Sequence, residues 1–141
     1  MTRHSIYQGR VVDLGMETDL LPNGQQIELE IVRHPGGAAV LAVDVQQRVC
    51  VLSQYRHAAS GWLWELPAGK LDRAETPLTT AQRELEEEAG VRAQQWESLG
   101  IMLSTPGFCD EVIHLFTCLY RVHRLTCLCT TSPFGCGRAA A

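Results

Sequence analysis

Apolar and polar positions alternate near period two over residues 9–14 and again over residues 27–32. That is the signature of half-buried strands, and Leu21-Pro22-Asn23-Gly24 supplies a turn between them. His34-Pro35-Gly36-Gly37 breaks the pattern. Residues 38–43 (AAVLAV) then form a continuous apolar run suited to a buried sheet position. Gln46-Gln47 reads as a turn and residues 49–52 (VCVL) as a second core strand. The period then changes. Thr76 is placed to cap a helix, Pro77 suits its first turn and Gly90 its C-terminal cap. Leu78, Ala81, Leu85 and Ala89 fall on one face at helical spacing. Residues 98–103 and 112–122 return to strand-like patterning, separated by a loop at 104–108. Many strands around one central helix predict an α+β class with a mixed sheet.

From Leu125 onward the sequence LTCLCTTSPFGCGRAAA has no acidic residue and no period, and it reads as a tail of low order. The expected organisation is one domain over residues 1–124, with N-terminal strands at 1–34, a core at 35–124 and the tail at 125–141. The chain has 141 residues, 45% apolar, enough for one real core. Its formal net charge of −4 argues against a polybasic nucleic-acid or membrane-surface binder. No apolar run approaches the roughly 20 residues that span a bilayer, and the first ten residues lack the apolar core of a signal peptide. A cytoplasmic location is the default expectation. Six cysteines then read mostly as free thiols in a reducing compartment. A rival zinc site at His123, Cys127, Cys129 and Cys136 has a spacing that matches no common ligand set.

The chemistry concentrates in residues 69–91, GKLDRAETPLTTAQRELEEEAGV. Glu84, Glu87 and Glu88 stand at i, i+3 and i+4, so at roughly 100° per residue they share a stripe beside the apolar face. Glu86 points to the opposite flank. Like charges at these spacings repel by a few tenths of a kcal/mol per pair in water, and more where a sheet lowers the dielectric. A solvated acidic face is the plain alternative. Bordering a buried stripe, after the glycine-containing loop Leu66-Pro67-Ala68-Gly69, the three carboxylates fit a hard divalent cation better.

This segment resembles the signature of the Nudix hydrolases: Gly, five residues, Glu, seven residues, then Arg-Glu-apolar-any-Glu-Glu-any-Gly-apolar. Gly69, Glu75, Arg83, Glu84, Leu85, Glu87, Glu88, Gly90 and Val91 satisfy every fixed position. The resemblance implies a Nudix-like α/β/α sandwich that hydrolyses a nucleoside diphosphate linked to another group with Mg²⁺, or Mn²⁺. Glu84 and Glu88, helped by the Ala68 carbonyl, would hold metal. Glu87 would be a further ligand or orient water. Gly69, Glu75, Arg83 and Gly90 would be structural, with Arg83 paired to neighbours such as Glu75.

Flanking residues are similar to the ADP-ribose pyrophosphatase branch. They are His34-Pro35-Gly36-Gly37-Ala38, Gln54-Tyr55-Arg56, Trp64-Glu65-Leu66-Pro67-Ala68-Gly69 and residues 105–111, with Pro106 sixteen residues beyond Gly90. Position by position, Arg56 would clamp substrate phosphate, Glu65 would bind substrate or metal, and Glu111 would face the phosphates or a metal. Trp62 and Trp64 would stack on a base or pack in a core or interface. His57 reads as an ordinary loop histidine. The branch implies a homodimer through the N-terminal strands. Its members also carry, after the strand at 112–122, an acidic loop that often holds a general-base glutamate, then a strand and a helix. Here the tail stands in that place, so the C-terminal part reads as truncated or divergent and turnover as weakened. The expected activity is hydrolysis of ADP-ribose to AMP and ribose 5-phosphate. The alternatives are another nucleoside diphosphate sugar, or a silent Nudix domain that binds nucleotide or a partner.

Overall fold

A computed structural model of the chain describes residues 1–72 and 74–120. The described chain divides into two compact units: Met1–Gly36 with Met102–Ile113, and Gly37–Ile101 with the described residues from His114. The zinc alternative, the tail and the end of the strand expected at 112–122 lie outside the described residues.

The first unit carries an antiparallel sheet of β1 (Thr2–Gln8), β2 (Asp13–Leu20) and β3 (Gln26–Arg33), in that order. Residues 9–14 do not form the single strand that their alternation predicts. The chain turns there, with the Gly9 N–H donating to the Val12 carbonyl at 2.8 Å, and Asp13 begins β2. β1 was not legible because no residue of TRHSIYQ is buried and the one side chain that turns inward is the charged Arg3, so no apolar face imposes a period. The turn at 21–24 forms as expected, with Gly24 at φ +82° and its N–H on the Leu21 carbonyl.

Glu17 is the buried charge of this unit, 6% exposed. Arg33 Nη2 donates to its Oε2 at 2.5 Å, and Arg3 Nε to its Oε1 at 3.0 Å. A buried carboxylate is tolerated only when its oxygens are answered in this way. Gly15 leaves room for the arrangement, since a Cβ there would lie 2.6 Å from the Arg3 guanidinium carbon. Arg33 also reaches Asp110, and Asp110 accepts the His34 N–H at 2.8 Å.

The second unit is built on β4 (Gly37–Asp44), which alternates fully buried Ala38, Val40 and Ala42 with half-buried neighbours. Asp44 closes the strand: it accepts N–H groups from Gln46 and Arg48, both at 2.9 Å, around the expected turn. The run at 49–52 is not a continuous core strand. Val49 is exposed and makes one bridge to Val43. The chain then enters a separate hairpin of β5 (Leu52–Arg56) and β6 (Gly61–Glu65). An unbroken apolar run carries no alternation to fix its register, and so could not show where the pairing changes.

β7 (Ala68–Lys70) leads into α1 (Pro77–Ala89), and β8 (Ala93–Leu103) and β9 (Val112–Tyr120) follow. The larger sheet runs β7-β4-β9-β8. The helix ends are as expected: Thr76 Oγ1 accepts the Thr79 N–H at 3.2 Å, and Gly90, at φ +65°, donates to the Glu86 carbonyl at 2.9 Å. Ala81 and Leu85 are fully buried in one cluster with Ala38, Val40, Ala42, Cys118 and Tyr120. The apolar face is rotated from the predicted one, because Leu78 is 36% exposed while Thr80 is fully buried. One helix and many strands among the described residues make this an α+β fold. No described helix is long and apolar enough to cross a membrane. Cys50, Cys109 and Cys118 are free thiols.

The Glu17 network has a testable pH signature. Hydrogen bonding from Arg33, then Arg3, holds its carboxyl below the ordinary 4.5 despite burial. A depressed carboxyl stabilises the fold above its unfolded pKa, and that stability is lost as pH falls through the folded value. The melting temperature of the chain should therefore fall as the solution is acidified from about pH 5 to about pH 3. Glu17→Gln should melt lower at neutral pH and show a shallower acid decline. An equally steep decline in that variant would show that Glu17 does not carry the effect.

Candidate active site

The site residues of the second unit are placed by the strand–loop–helix passage from β6 through β7 into α1. β4 and β7 are antiparallel, with Ala38 opposite Gly69 and Ala39 opposite Ala68. Burial of Ala81 and Leu85 lays α1 along these strands, and its next-door positions, Glu84 and Glu88, sit at the border of the seam. Gly69 lies directly beneath. A Cβ there would stand 1.9 Å from Glu84 Oε1, so only glycine lets the carboxylate reach the β7 backbone. Glu88 Oε2 accepts the Ala68 N–H at 3.0 Å.

Electrostatics gathers four groups about Glu88. Its carboxyl is pushed above the usual range, first by burial and further by the charges of Glu84 and Glu65. The Ala68 N–H and the Arg56 guanidinium oppose the shift. Across from it, Arg56 and Glu65 share one face of the β5–β6 hairpin. Arg56 Nε donates to both Glu65 oxygens, at 2.8 and 3.0 Å, and Nη2 to Oε2 at 2.5 Å.

Arg83 is divided among three carboxylates. Its Nε and Nη2 edge rests on Glu75 at 3.1–3.3 Å, while Nη1 donates to Glu84 at 2.8 Å and to Glu87 at 3.0 Å. Glu75 is held as well by the Thr80 hydroxyl, which donates at 2.9 Å to Oε2, the oxygen that also accepts Arg83 Nη2. Glu87 is 59% exposed, further out than its two neighbours. Glu86 faces the opposite flank and pairs with Arg92.

Among the described residues, no three His, Cys, Asp or Glu side chains converge closely enough to form a metal-ligand set. The rotamers explain this, since Arg83 draws Glu84 and Glu87 to itself and the Ala68 N–H takes Glu88. The donor chemistry nonetheless fits a hard cation: carboxylate oxygens crowded by like charge, over a glycine that leaves room for Glu84.

Pro106 and Glu111 belong to the first unit. Pro106 lies in the turn where the Phe108 N–H meets the Thr105 carbonyl. Glu111 Oε2 accepts the Ser104 hydroxyl at 2.6 Å, and its Oε1 lies 3.2 Å from His34 Nδ1. Trp62 and Trp64 are exposed on the hairpin, and Trp62 meets Tyr55 edge-on at 5.8 Å. His57 occupies an exposed single turn. Sequence reasoning missed Thr80, whose only signal was a hydroxyl beside Ala81 near the apolar face, and Asp110, which fastens His34.

A NUDIX domain model matches residues 33–127. The chain belongs to the Nudix family. It is 47% identical over 111 residues to the methanol dehydrogenase activator of Bacillus methanolicus, covering 79% of this chain and 60% of that protein. It is 41% identical over 116 residues to the ADP-ribose pyrophosphatase of Bacillus subtilis, covering 82% and 63%. Over 117 residues it is 37% identical to the ADP-ribose pyrophosphatase of Mycobacterium tuberculosis, covering 82% and 56%. The matched stretch thus spans 56–63% of the length of these relatives.

The charges around Glu88 predict its titration. A carboxyl-detected NMR titration should place Glu88 above 4.5, and Arg56→Gln should raise it further by removing the opposing cation. A Glu88 midpoint at or below 4.5, or one that falls in the variant, would contradict the described surroundings.

Proposed function

We propose that the chain is a divalent-metal-dependent Nudix pyrophosphatase that hydrolyses a nucleoside diphosphate sugar, with ADP-ribose cleaved to AMP and ribose 5-phosphate. The observation that carries this reading is Glu84 seated over Gly69 and Glu88 on the Ala68 N–H, with Glu84 and Arg56 both within electrostatic reach of Glu88. The names of the Bacillus subtilis and Mycobacterium tuberculosis relatives support the substrate class.

Glu84, Glu88 and the Ala68 carbonyl would hold Mg²⁺, or Mn²⁺, with Glu87 as a further ligand or as the group that orients water. Bound there, the cation would neutralise phosphate charge and lower the pKa of a coordinated water. The protein's own contribution is positioning and fixed charge. Arg56 presents a planar two-donor edge that matches a phosphate as well as a carboxylate. A substrate phosphate would compete with its partner Glu65 for that edge. Glu65 would then be free to meet substrate or metal. Gly69, Glu75, Arg83 and Gly90 keep the loop and helix in register.

A homodimer through the N-terminal strands belongs to the same reading. It is supported by exposed Ile6, Tyr7, Leu20 and Leu29 on β1–β3. A cytoplasmic location belongs to the same reading.

The test is a panel of nucleoside diphosphate sugars with Mg²⁺ and with Mn²⁺, products identified by mass. ADP-ribose should yield AMP and ribose 5-phosphate. Partners in the outer sphere of a metal site already change activity by about 10- to 100-fold, so Glu88→Gln should reduce turnover by more than about 100-fold. Preferred cleavage of another member of the panel would move the substrate assignment. ADP-ribose binding without product would make the chain a silent nucleotide binder.

A further inference from the structure

The seven residues between Glu75 and Arg83 are free positions in the signature, yet one of them makes a specific polar contact. Thr80 is fully buried, on the stripe that also buries Ala81 and Leu85. Valine would fill the same volume without a hydroxyl to satisfy. The Thr80 hydroxyl donates to Glu75 Oε2 at 2.9 Å, and Glu75 takes the Nε–Nη2 edge of Arg83. The remaining Nη1 lies on Glu84 and Glu87. One guanidinium is therefore shared by three carboxylates, of which Glu84 is a proposed cation ligand and Glu87 a further ligand or the group that orients water.

The direction in which Arg83 leans decides how available those ligands are. While Glu75 keeps two of its nitrogens, only Nη1 competes for Glu84 and Glu87. If Glu75 rotates away, the guanidinium is released to make a two-point contact with the helix carboxylates, and such bidentate pairs are the stronger kind. Glu75 is itself part-exposed, and Arg83 alone could follow its swing. Thr80, locked in the core, supplies the fixed point.

We propose that Thr80 is a positioning residue for cation binding: through its hydroxyl it anchors Glu75, and through Glu75 it restrains Arg83 from closing over Glu84 and Glu87. This rests on the reading of Glu84 and Glu88 as cation ligands and adds a residue outside the family signature.

The test is Mn²⁺ binding to the full chain, measured by electron paramagnetic resonance with no nucleotide present, in parallel with thermal melting. Thr80→Val should bind Mn²⁺ several-fold more weakly, up to about 10-fold, the low end of what a group directly behind a metal ligand controls, because Thr80 acts through Glu75 and Arg83. Its melting temperature should not fall, since an apolar group replaces a buried hydroxyl. Thr80→Ser should restore affinity to within about twofold of the unsubstituted chain. Glu75→Gln, which loosens the same anchor from a part-exposed position, should weaken binding likewise and serves if the valine variant fails to fold. Equal Mn²⁺ affinity in all variants of a chain that binds the ion would overturn the role of Thr80 alone. An unsubstituted chain that binds no Mn²⁺ would sink the metal reading and this inference with it. A loss in Thr80→Val that Thr80→Ser does not reverse would mark packing, not the hydroxyl, as the cause and would also overturn it.

Discussion

The close approach of α1 to the β4–β7 edge governs the candidate site. Ala81 and Leu85 are the residues that make it, both fully buried against Ala38, Val40 and Ala42. Their burial fixes the rotation of the helix about its axis. Rotation in turn fixes where Glu84 and Glu88 emerge, because side chains three and four positions apart share a face. Gly69 is the counterpart on the strand side. Had it carried a side chain, Glu84 could not stand where it does. A packing decision made with two small-to-medium apolar residues thus becomes an electrostatic arrangement one turn further along.

The charge economy of the two units differs. In the first, Glu17 receives two guanidinium groups and is satisfied in the protein's interior. In the second, Arg83 is divided among Glu75, Glu84 and Glu87, and Glu88 is pushed toward its neutral form by burial and by its neighbours. Carboxylates that share one cation are poised to accept another, whereas a carboxylate with two is not. On the proposed reading, that contrast separates a structural ion network from one that takes part in the chemistry.

What was legible in the sequence follows from how each feature is encoded. The ends of α1 could be read to the residue, since capping depends on local groups: the Thr76 hydroxyl, the ring of Pro77 and the left-handed backbone of Gly90. β4 was legible from its length and apolarity. β1 was not, because a strand without a buried apolar face bears no period, and residues 9–14 alternate while crossing a turn. Leu78 and Thr80 exchange the places their side chains suggest. Hydropathy ranks leucine inside, but the Glu75 carboxylate gives Thr80 a partner that makes its burial tolerable. The signature named Glu84, Glu87, Glu88, Glu75 and Arg83. It could not show that Arg83 holds three of them at once, since that depends on rotamers set by Thr80 and Gly69. Glu111 and Pro106 were singled out by resemblance, and the structure sets both in the first unit, Glu111 against Ser104 and His34.

The central claim is that Glu84 and Glu88 are ligands for a divalent cation that a nucleoside diphosphate shares. Its most direct test is a crystal structure of the chain grown with Mn²⁺ and a non-hydrolysable ADP-ribose analogue, with data collected at a wavelength where manganese scatters anomalously. The account predicts an anomalous peak within bonding distance of oxygens from both Glu84 and Glu88, with the analogue's phosphates on its open side. Manganese bound elsewhere, or an analogue seated away from this helix while both carboxylates keep to Arg83 and Ala68, would contradict it.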